Sequence, residues 1–217
     1  MNKIVNYILM LVVAASFVAC GGAKLSVADE QMARGEYFDA AKTYRKVYNK
    51  LDREQRSLRG EIAFKMGECH RLLRQNAKAS AAYANAKRFG CEDTLLNLRM
   101  AEVLHADGKY TPAIEAYKEF LEIHPDNVKA QNGLAGARIG HEKKASTRYV
   151  VHNAKLFNSR RSDYAPMYFD DSYDRLYFTT TNEKVTGNHR SEINGMKKAD
   201  IWTVSKNERG QWNRPEP

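Results

Sequence analysis

The sequence predicts a mainly α-helical protein, a solenoid of paired helices followed by a partial antiparallel β segment. A small residue, a tyrosine four positions later and a small or apolar residue three positions after that recur three times between residues 24 and 145. From Thr147 this helical spacing stops, and β-branched and aromatic residues with intervening turn residues follow. Recurrence at such a period is typical of stacked repeats, in which each unit buries its apolar face against the next.

The first element of the chain is a short apolar segment. Residues 4–18 are apolar apart from three positions, and Lys3 precedes them. About 15 residues are too few to cross a hydrocarbon core of about 30 Å comfortably, so the run fits the apolar region of a signal peptide. We predict a signal peptide over residues 1–19. An ordinary secreted protein and an uncleaved anchor remain as alternatives.

A cysteine follows this segment directly. Ala19, Cys20 and two glycines form a pattern that resembles a bacterial lipobox, with Phe17 at the position where leucine is most frequent. The resemblance implies cleavage before Cys20 and acylation of its sulfur and amine. Acyl chains supply about 0.8 kcal/mol per buried CH₂, so several chains hold a soluble domain at a bilayer. Residues 20–24 are then a short tether.

The recurring pattern begins at Gly35, Arg74 and Gly108, and its tyrosines are 39 and then 34 residues apart. These segments resemble the tetratricopeptide repeat (TPR), a 34-residue helix–turn–helix unit. The resemblance implies a TPR domain over residues 25–145, with about three repeats and a capping helix. The residues that define its units are Gly35, Ala40, Tyr44, Gly67, Ala79, Tyr83, Ala101, Gly108, Tyr110, Ala113, Tyr117 and Pro125.

Helix packing explains the spacing of the pattern. Residues at i, i+4 and i+7 share one face of the second helix of each unit. The small residue lets two helices approach, the tyrosine fills the gap between neighbouring units, and Gly35 and Gly108 allow the turn. Arg74 replaces the turn glycine in the second copy. The five additional residues after the first copy are expected to lengthen its helix or its loop.

A fourth first helix is predicted after Pro125, with Asp126 or Asn127 as its N-cap. Leu134 and Ala135 fall where the repeat places a large and a small contact residue. We interpret this helix as the cap that closes the solenoid.

In the TPR fold the first helices line a concave groove. Repeat phase puts three acids of this chain at one groove position, which predicts an acidic column in a protein of net charge +9. We hypothesise that the groove binds an extended or helical segment of a partner protein; the alternative is that these residues form solvated helix faces. The lysine and asparagine side chains of the carboxylate clamp of chaperone-binding relatives are missing here, which disfavours capture of C-terminal peptides. The predicted groove residues are Asp29, Met32, Phe64, Glu68, Arg71, Leu98, Glu102 and His105.

Two further cysteines lie within the repeats. Cys69 is predicted on the first helix of the second unit, and Cys91 beyond its second helix, near the opposite end. An offset of about six residues separates them by roughly 9 Å along the helix axis, whereas a disulfide needs Cα atoms within about 7 Å. We therefore predict two buried thiols rather than a disulfide.

The rest of the chain is predicted as a linker, residues 146–161, and a β segment, residues 162–217. Strands are predicted over 165–169 and 171–181, then from Ala199, and again from Gln211 after a turn over 207–210. These strands resemble one blade of a PD40 (WD40-like) β-propeller, which needs several blades to close, so the propeller is expected to be only partly present. Three aspartates, Asp170, Asp171 and Asp174, crowd the first turn. A calcium site is conceivable there, and turn chemistry is favoured.

The order of lipobox, TPR array and PD40 blade resembles a family of Bacteroidetes outer-membrane lipoproteins that continue into an OmpA-like domain, PorE-like components of the type IX secretion system. The resemblance implies a lipid-anchored scaffold at the outer membrane that faces the periplasm. Its partners would be secretion-system or envelope proteins. Peptidoglycan would be bound only through the C-terminal OmpA-like domain, which this sequence does not contain.

The sequence offers little support for other function classes. None of the six histidines forms a His-Glu-x-x-His motif or zinc-type spacing with cysteine, and there is no Gly-x-Ser-x-Gly motif. The positive charge is spread along the chain rather than concentrated, which argues against nucleic acid as a partner. We expect no enzyme activity, cofactor or metal. The alternative to a tethered scaffold is a soluble periplasmic chaperone or assembly factor that uses the same groove.

Overall fold

A computed structural model describes residues 24–142 and 150–217. The chain divides into two compact units, with the division between Ser146 and Thr147. Cys20 and the predicted signal peptide lie outside the described residues. No helix in the described part of the chain combines the length and apolar character needed to cross a membrane.

The first unit consists of seven helices in its described residues. They are α1 (24–33), α2 (Tyr37–Tyr48), α3 (Arg56–Leu72), α4 (Asn76–Arg88), α5 (Leu96–Ala106), α6 (Tyr110–Ile123) and α7 (Val128–Glu142). From α2 onward each helix packs against the next one along the chain. The predicted pairs are therefore α1–α2, α3–α4 and α5–α6, followed by the capping helix α7.

The predicted small residues and tyrosines form the core of this unit. Ala40, Ala79 and Ala113 are completely buried, and the tyrosines that follow them are buried with them. Gly67 of α3 explains why a small residue is needed, because a Cβ atom built on it would lie 2.4 Å from Cε1 of Tyr83. The tyrosine ring thus occupies the space that a larger residue on the facing helix would need.

The turns inside the repeats require a left-handed backbone. Gly35 and Gly108 have φ of +80° and +71°, as expected for the turn glycines of the repeat. Arg74 adopts φ of +54° at the equivalent position of the second repeat. A non-glycine residue in this region is strained by about 1–2 kcal/mol, so the exposed Arg74 turn is held by the packing of α3 against α4.

The expectation that the longer first spacing extends the first copy's helix or loop was wrong. The connections 49–55 and 89–95 have the same length, and α2 has only 12 residues. The additional residues extend α3, which has 17 residues against 11 in α5. A longer α3 adds a turn at its N-terminal end, where Gly60 packs closely on the backbone of Cys91.

The capping helix begins where it was predicted to begin, but Ala135 does not make the contact that was predicted for it. Asn127 caps α7, since its Oδ1 accepts a hydrogen bond from the backbone N–H of Ala130 at 3.0 Å. Ala135 is exposed, contrary to the expected close contact. Gly133, two residues earlier, packs on the tyrosine of the preceding repeat, because a Cβ atom there would lie 2.4 Å from Cζ of Tyr117.

Neither of the two cysteines in the described part of the first unit forms a disulfide. Cys69 is completely buried and its thiol is free, as predicted. Burial, reinforced by the charge of Glu68, raises the pKa of the Cys69 thiol to about 12. Cys91 is also free and is only half-buried.

The second unit contains a three-stranded antiparallel sheet in the order β1 (Asp163–Tyr168), β2 (Arg175–Thr180), β3 (Asp200–Ser205). The predicted strands agree with these in type and order. The fourth predicted strand is reduced to two isolated bridges, Lys206 with Trp212 and Thr203 with Glu216.

Side chains of β2 and β3 on one face of the sheet build its core. Phe178, Trp202 and Val204 are buried there, with Phe157 and Trp212 packed against them. The pairing of β1 with β2 shifts between Tyr164 and Met167. Pro166 lies in this irregular segment of the edge strand, where its missing N–H is tolerated.

Candidate partner-binding groove

A cavity of about 720 Å³ opens between α1, α3 and the residues that precede α5. Four of the eight predicted groove residues line it: Asp29 and Met32 from α1, and Phe64 and Glu68 from α3. They meet because positions i and i+3 or i+4 share one face of a helix and the two first helices lie side by side. Half of the predicted groove residues therefore share one concave surface on the first two repeats.

The other four predicted residues do not line this cavity. Leu98 is buried in the core of the third repeat. His105 packs edge-on against the rings of Tyr110 and Tyr117. Arg71 and Glu102 are engaged in ion pairs with other residues of the unit.

The cavity has an apolar floor and an acidic rim. Met32 and Phe64 are half-buried and form the apolar part. Glu61, Glu92 and Asp93 are exposed at the rim, and Lys65 is the one cation among the lining residues. Glu61 shares the face of α3 that carries Phe64 and Glu68, so helical spacing could have revealed it. Glu92 and Asp93 come from a loop, where no periodic signal marks them.

Asp29, the first acid of the predicted column, is hydrogen-bonded to other residues of the same unit. Tyr44 donates a hydrogen bond of 2.5 Å to Oδ1 of Asp29, and Nζ of Lys65 lies 2.9 Å from the same oxygen. Burial alone would raise the pKa of Asp29, but these two hydrogen bonds outweigh it and lower the pKa. Asp29 is therefore ionised and already paired before any partner arrives.

The second position repeats this arrangement in a more buried setting. Tyr83 donates a hydrogen bond of 2.5 Å to Oε1 of Glu68, Arg71 binds both carboxylate oxygens at 3.1 and 2.7 Å, and Nε of Arg99 lies 3.6 Å away. Burial opposes ionisation, yet the bonds from Arg71 and Tyr83 lower the pKa of Glu68. Burial and the neighbouring carboxylate raise the pKa of Tyr83, so its hydroxyl remains the donor.

The third position departs from the pattern. Glu102 is paired with Arg99 at 3.1 Å and with Lys129 of α7. Burial, together with the charge of Glu102, raises the pKa of Tyr117 to about 12.

Lys65 and Arg99 each lie on the first helix of the next repeat, and Gly133 occupies the equivalent position of α7, in contact with Tyr117. We call the three sets of tyrosine, acid and cation around Asp29, Glu68 and Glu102 the tyrosine–acid ladder.

Because of the ladder, the acids of the predicted column are already paired and are not available to a partner protein. Asp29 and Glu68 each accept a hydrogen bond from the tyrosine of their own repeat, and all three acids pair with a cation of the following repeat or of α7, so they join neighbouring units rather than face an empty groove. The acids available to a partner are those at the rim of the cavity, where Glu92 has no ion-pair partner among the described residues.

The aspartate-rich turn between β1 and β2 is explained by its own hydrogen bonds. Oδ1 of Asp170 accepts bonds from the backbone N–H and the hydroxyl of Ser172 at 3.0 and 2.5 Å. These bonds lower the pKa of Asp170 and are typical of an Asx turn. Over residues 24–142 and 150–217, no three acids, histidines or cysteines are grouped so that they could hold a metal ion.

Comparison with known proteins agrees with the repeat assignment. A tetratricopeptide-repeat family model matches residues 96–127, which cover the third repeat and the start of the capping region. The chain therefore contains a TPR, a module of protein–protein interaction, and the match indicates no catalytic family. A search of curated proteins found no relative.

Two solved structures are similar to the helical part. The first TPR domain of Spaghetti (RPAP3), bound to an HSP90 peptide, is 19% identical over 57% of this chain and 94% of that chain, with a TM-score of 0.49. The Sgt2 TPR domain from Aspergillus fumigatus is 17% identical over 62% of this chain and 92% of that chain, with a TM-score of 0.45.

Proposed function

We propose that the protein is a membrane-anchored scaffold that binds a partner protein through the cavity between α1 and α3. The observation that carries this proposal is the form of the cavity, which combines about 720 Å³ of concave volume with a floor of Met32 and Phe64. Concave sites with apolar floors and a few polar groups are the usual binding sites of proteins. No catalytic arrangement competes with this interpretation among the described residues.

The rim of the cavity defines the partner's chemistry. Glu61, Glu92 and Asp93 outnumber the single lysine, so an extended segment with a lysine or arginine beside an apolar residue fits best. The apolar side chain would contact Phe64, and the cation would lie among the rim carboxylates. Charge complementarity of this kind raises the association rate and excludes acidic partners.

The groove is tested by reversing charges at its rim. We expect Glu61→Lys/Glu92→Lys to weaken binding of a fluorescein-labelled peptide of alternating lysine and leucine about tenfold, as measured by fluorescence anisotropy. Glu115→Lys/Glu122→Lys makes the same charge change on exposed positions of α6, outside the cavity, and should leave affinity unchanged. Equal losses in both variants would show general electrostatic attraction instead of a groove.

The test replaces rim residues instead of Glu68 because a substitution at Glu68 would also disturb the structure of the unit. A lysine at position 68 would place a cation beside Arg71 and Arg99 and remove the acceptor of Tyr83. Loss of binding in such a variant would report loss of structure. Glu92 is exposed and has no ion-pair partner among the described residues, whereas Glu61 pairs with the ladder cation Lys65 at 3.1 Å, so Glu92→Lys alone separates loss of binding from a change in the ladder.

The anchor in this proposal is a lipid on Cys20, which holds the protein at the outer membrane facing the periplasm, where it helps to assemble or anchor a type IX-like secretion machine. The lipobox-like sequence before Cys20 supports this, as does the absence of an acidic cluster after it in the sequence, of the kind that marks surface-exported lipoproteins. The three-stranded sheet is, on the same proposal, one blade of a PD40-like propeller. Its face with Tyr164, Met167 and Ile201 is exposed and apolar, which suits stacking of a further blade.

Lipidation makes a separate prediction. Cells fed an alkyne-bearing palmitate analogue should label the wild-type protein and a Cys91→Ala control equally, and should not label Cys20→Ala. Mass spectrometry of the mature wild type should find an acylated N-terminus at Cys20. An unlabelled wild type with a soluble mature chain would favour the alternative, a soluble periplasmic chaperone that uses the same groove.

A further inference from the structure

A second cavity, of about 810 Å³, lies in the β unit. It is bounded by the segment 155–161 before β1, by residues 182–184 after β2, and by Arg214 and Pro215 near the last bridge. Trp202 of β3 forms part of its lining. Its volume falls within the range of about 300–1,000 Å³ that is usual for ligand sites.

Positive charge surrounds this cavity. Lys155, Arg160, Arg161, Lys184 and Arg214 line it, and Glu183 is the single acid among the lining residues. Glu183 is already engaged, because its two carboxylate oxygens bind Arg161 and, at 2.8 Å, Arg190. The other four cations have no acid partner among the described residues. Unpaired cations around a concave surface focus a positive potential into it.

The lining also contains a large apolar surface. Trp202 is only 7% exposed, and Phe157 and Leu156 lie beside it in the lining. Nε1 of Trp202 is buried and has no acceptor in the described part of the chain. A buried donor without a partner is destabilising, so an oxygen of a ligand that reaches the indole edge would relieve this cost.

We propose that this cavity binds a short, extended acidic peptide segment whose carboxylates pair with Arg160 and Arg214 and whose apolar side chains contact Trp202 and Phe157. Guanidinium groups bind carboxylates with two parallel hydrogen bonds, and alternate side chains of an extended peptide point to opposite sides. A membrane surface is flat and would not reach a buried indole that lines a concave site. This site does not depend on the proposed function, because it has the opposite charge from the α1–α3 groove and belongs to the other unit.

The test uses the full chain and a fluorescein-labelled eight-residue peptide that alternates glutamate and leucine. We expect measurable binding by anisotropy, weakened by salt, and about tenfold weaker binding to Arg160→Glu/Arg214→Glu. The matched control, Arg209→Glu/Lys198→Glu, makes the same charge change at exposed positions outside the cavity and should bind like the wild type. Tryptophan fluorescence should change when the peptide binds to the wild type, since Trp202 lines the site.

Three results would overturn the proposal. The first is equal affinity for a peptide with glutamine in place of glutamate, which would exclude carboxylate recognition. The second is an equal loss in the two double variants, which would reduce the effect to net charge. The third is binding to phosphatidylglycerol vesicles in the absence of any binding to the peptide, which would assign the basic residues to a membrane surface.

Discussion

Replacing Tyr83 by alanine is expected to lower the free energy of unfolding of the helical unit by about 4 kcal/mol. Tyr83 is completely buried between α3 and α4, where its ring packs on Gly67 and lies 5.8 Å from the ring of Phe64. Its removal leaves a cavity at the centre of the array and deprives Glu68 of a hydrogen bond. Urea denaturation followed by helical circular dichroism measures the loss.

One further variant separates the ring from the hydroxyl, and a second provides a control at an exposed tyrosine. Tyr83→Phe keeps the ring and removes only the donor to Glu68, so it should cost about 1 kcal/mol. Tyr173→Ala removes an exposed tyrosine of the β hairpin and should change stability by less than about 0.5 kcal/mol. The packing argument would be wrong if alanine and phenylalanine at position 83 had the same effect.

The tyrosine–acid ladder explains why acids recur in phase along this solenoid. Tyr83 packs on Gly67 of its own repeat and Tyr117 packs on Gly133 of the following helix, and the hydroxyl of such a buried ring needs an acceptor. Asp29 and Glu68 supply that acceptor, and their charges are in turn balanced by Lys65 and Arg99 of the following repeat. The repeat interface thus contains a polar link with its charges paired, which favours one register of stacking.

The helical pattern of this chain could be predicted because its determinants are local. The spacing of Tyr44, Tyr83 and Tyr117 identifies the second helices, and Gly35 and Gly108 identify two of the turns. The ladder could be predicted only in part. Repeat phase aligned its acids, and Arg71 and Arg99 lie three residues from Glu68 and Glu102 on the same helices. The pairs of Asp29 with Lys65 and of Glu68 with Arg99 join neighbouring repeats, so a single unit does not reveal them.

Features that depend on packing between residues far apart in the chain were harder to predict from the sequence. Ala135 of α7 is equivalent to Gly67 of α3, which packs on the tyrosine of the helix that follows it, and Ala135 is exposed because the described part of this unit contains no helix after α7. The rim residues Glu92 and Asp93 lie in a loop whose path is set by the packing of Cys91 against Gly60. Neither effect leaves a periodic trace in the sequence.

Gly67→Ala is expected to destabilise the helical unit by about 2 kcal/mol, although alanine is the better helix former. The added methyl would lie 2.4 Å from Cε1 and 2.5 Å from Cδ1 of Tyr83, and neither side can yield because the tyrosine is fully buried. Overpacking of this kind costs about 3 kcal/mol, and the gain in helix propensity returns about 1 kcal/mol. Thermal and urea unfolding measure the difference.

The origin of this cost can be isolated by two comparisons. Gly136→Ala in α7 meets only Cε1 of His105 at 3.1 Å, the end of a side chain that can shift, so it should be neutral or stabilising. In a Tyr83→Leu background the ring is gone, and Gly67→Ala should then gain stability through helix propensity instead of losing it. If Gly67→Ala cost the same in both backgrounds, the small residue in α3 would serve something other than the approach of the tyrosine. The sign change in the double variant would tie the glycine and the tyrosine to a single contact, because each residue type is needed only while the other is present.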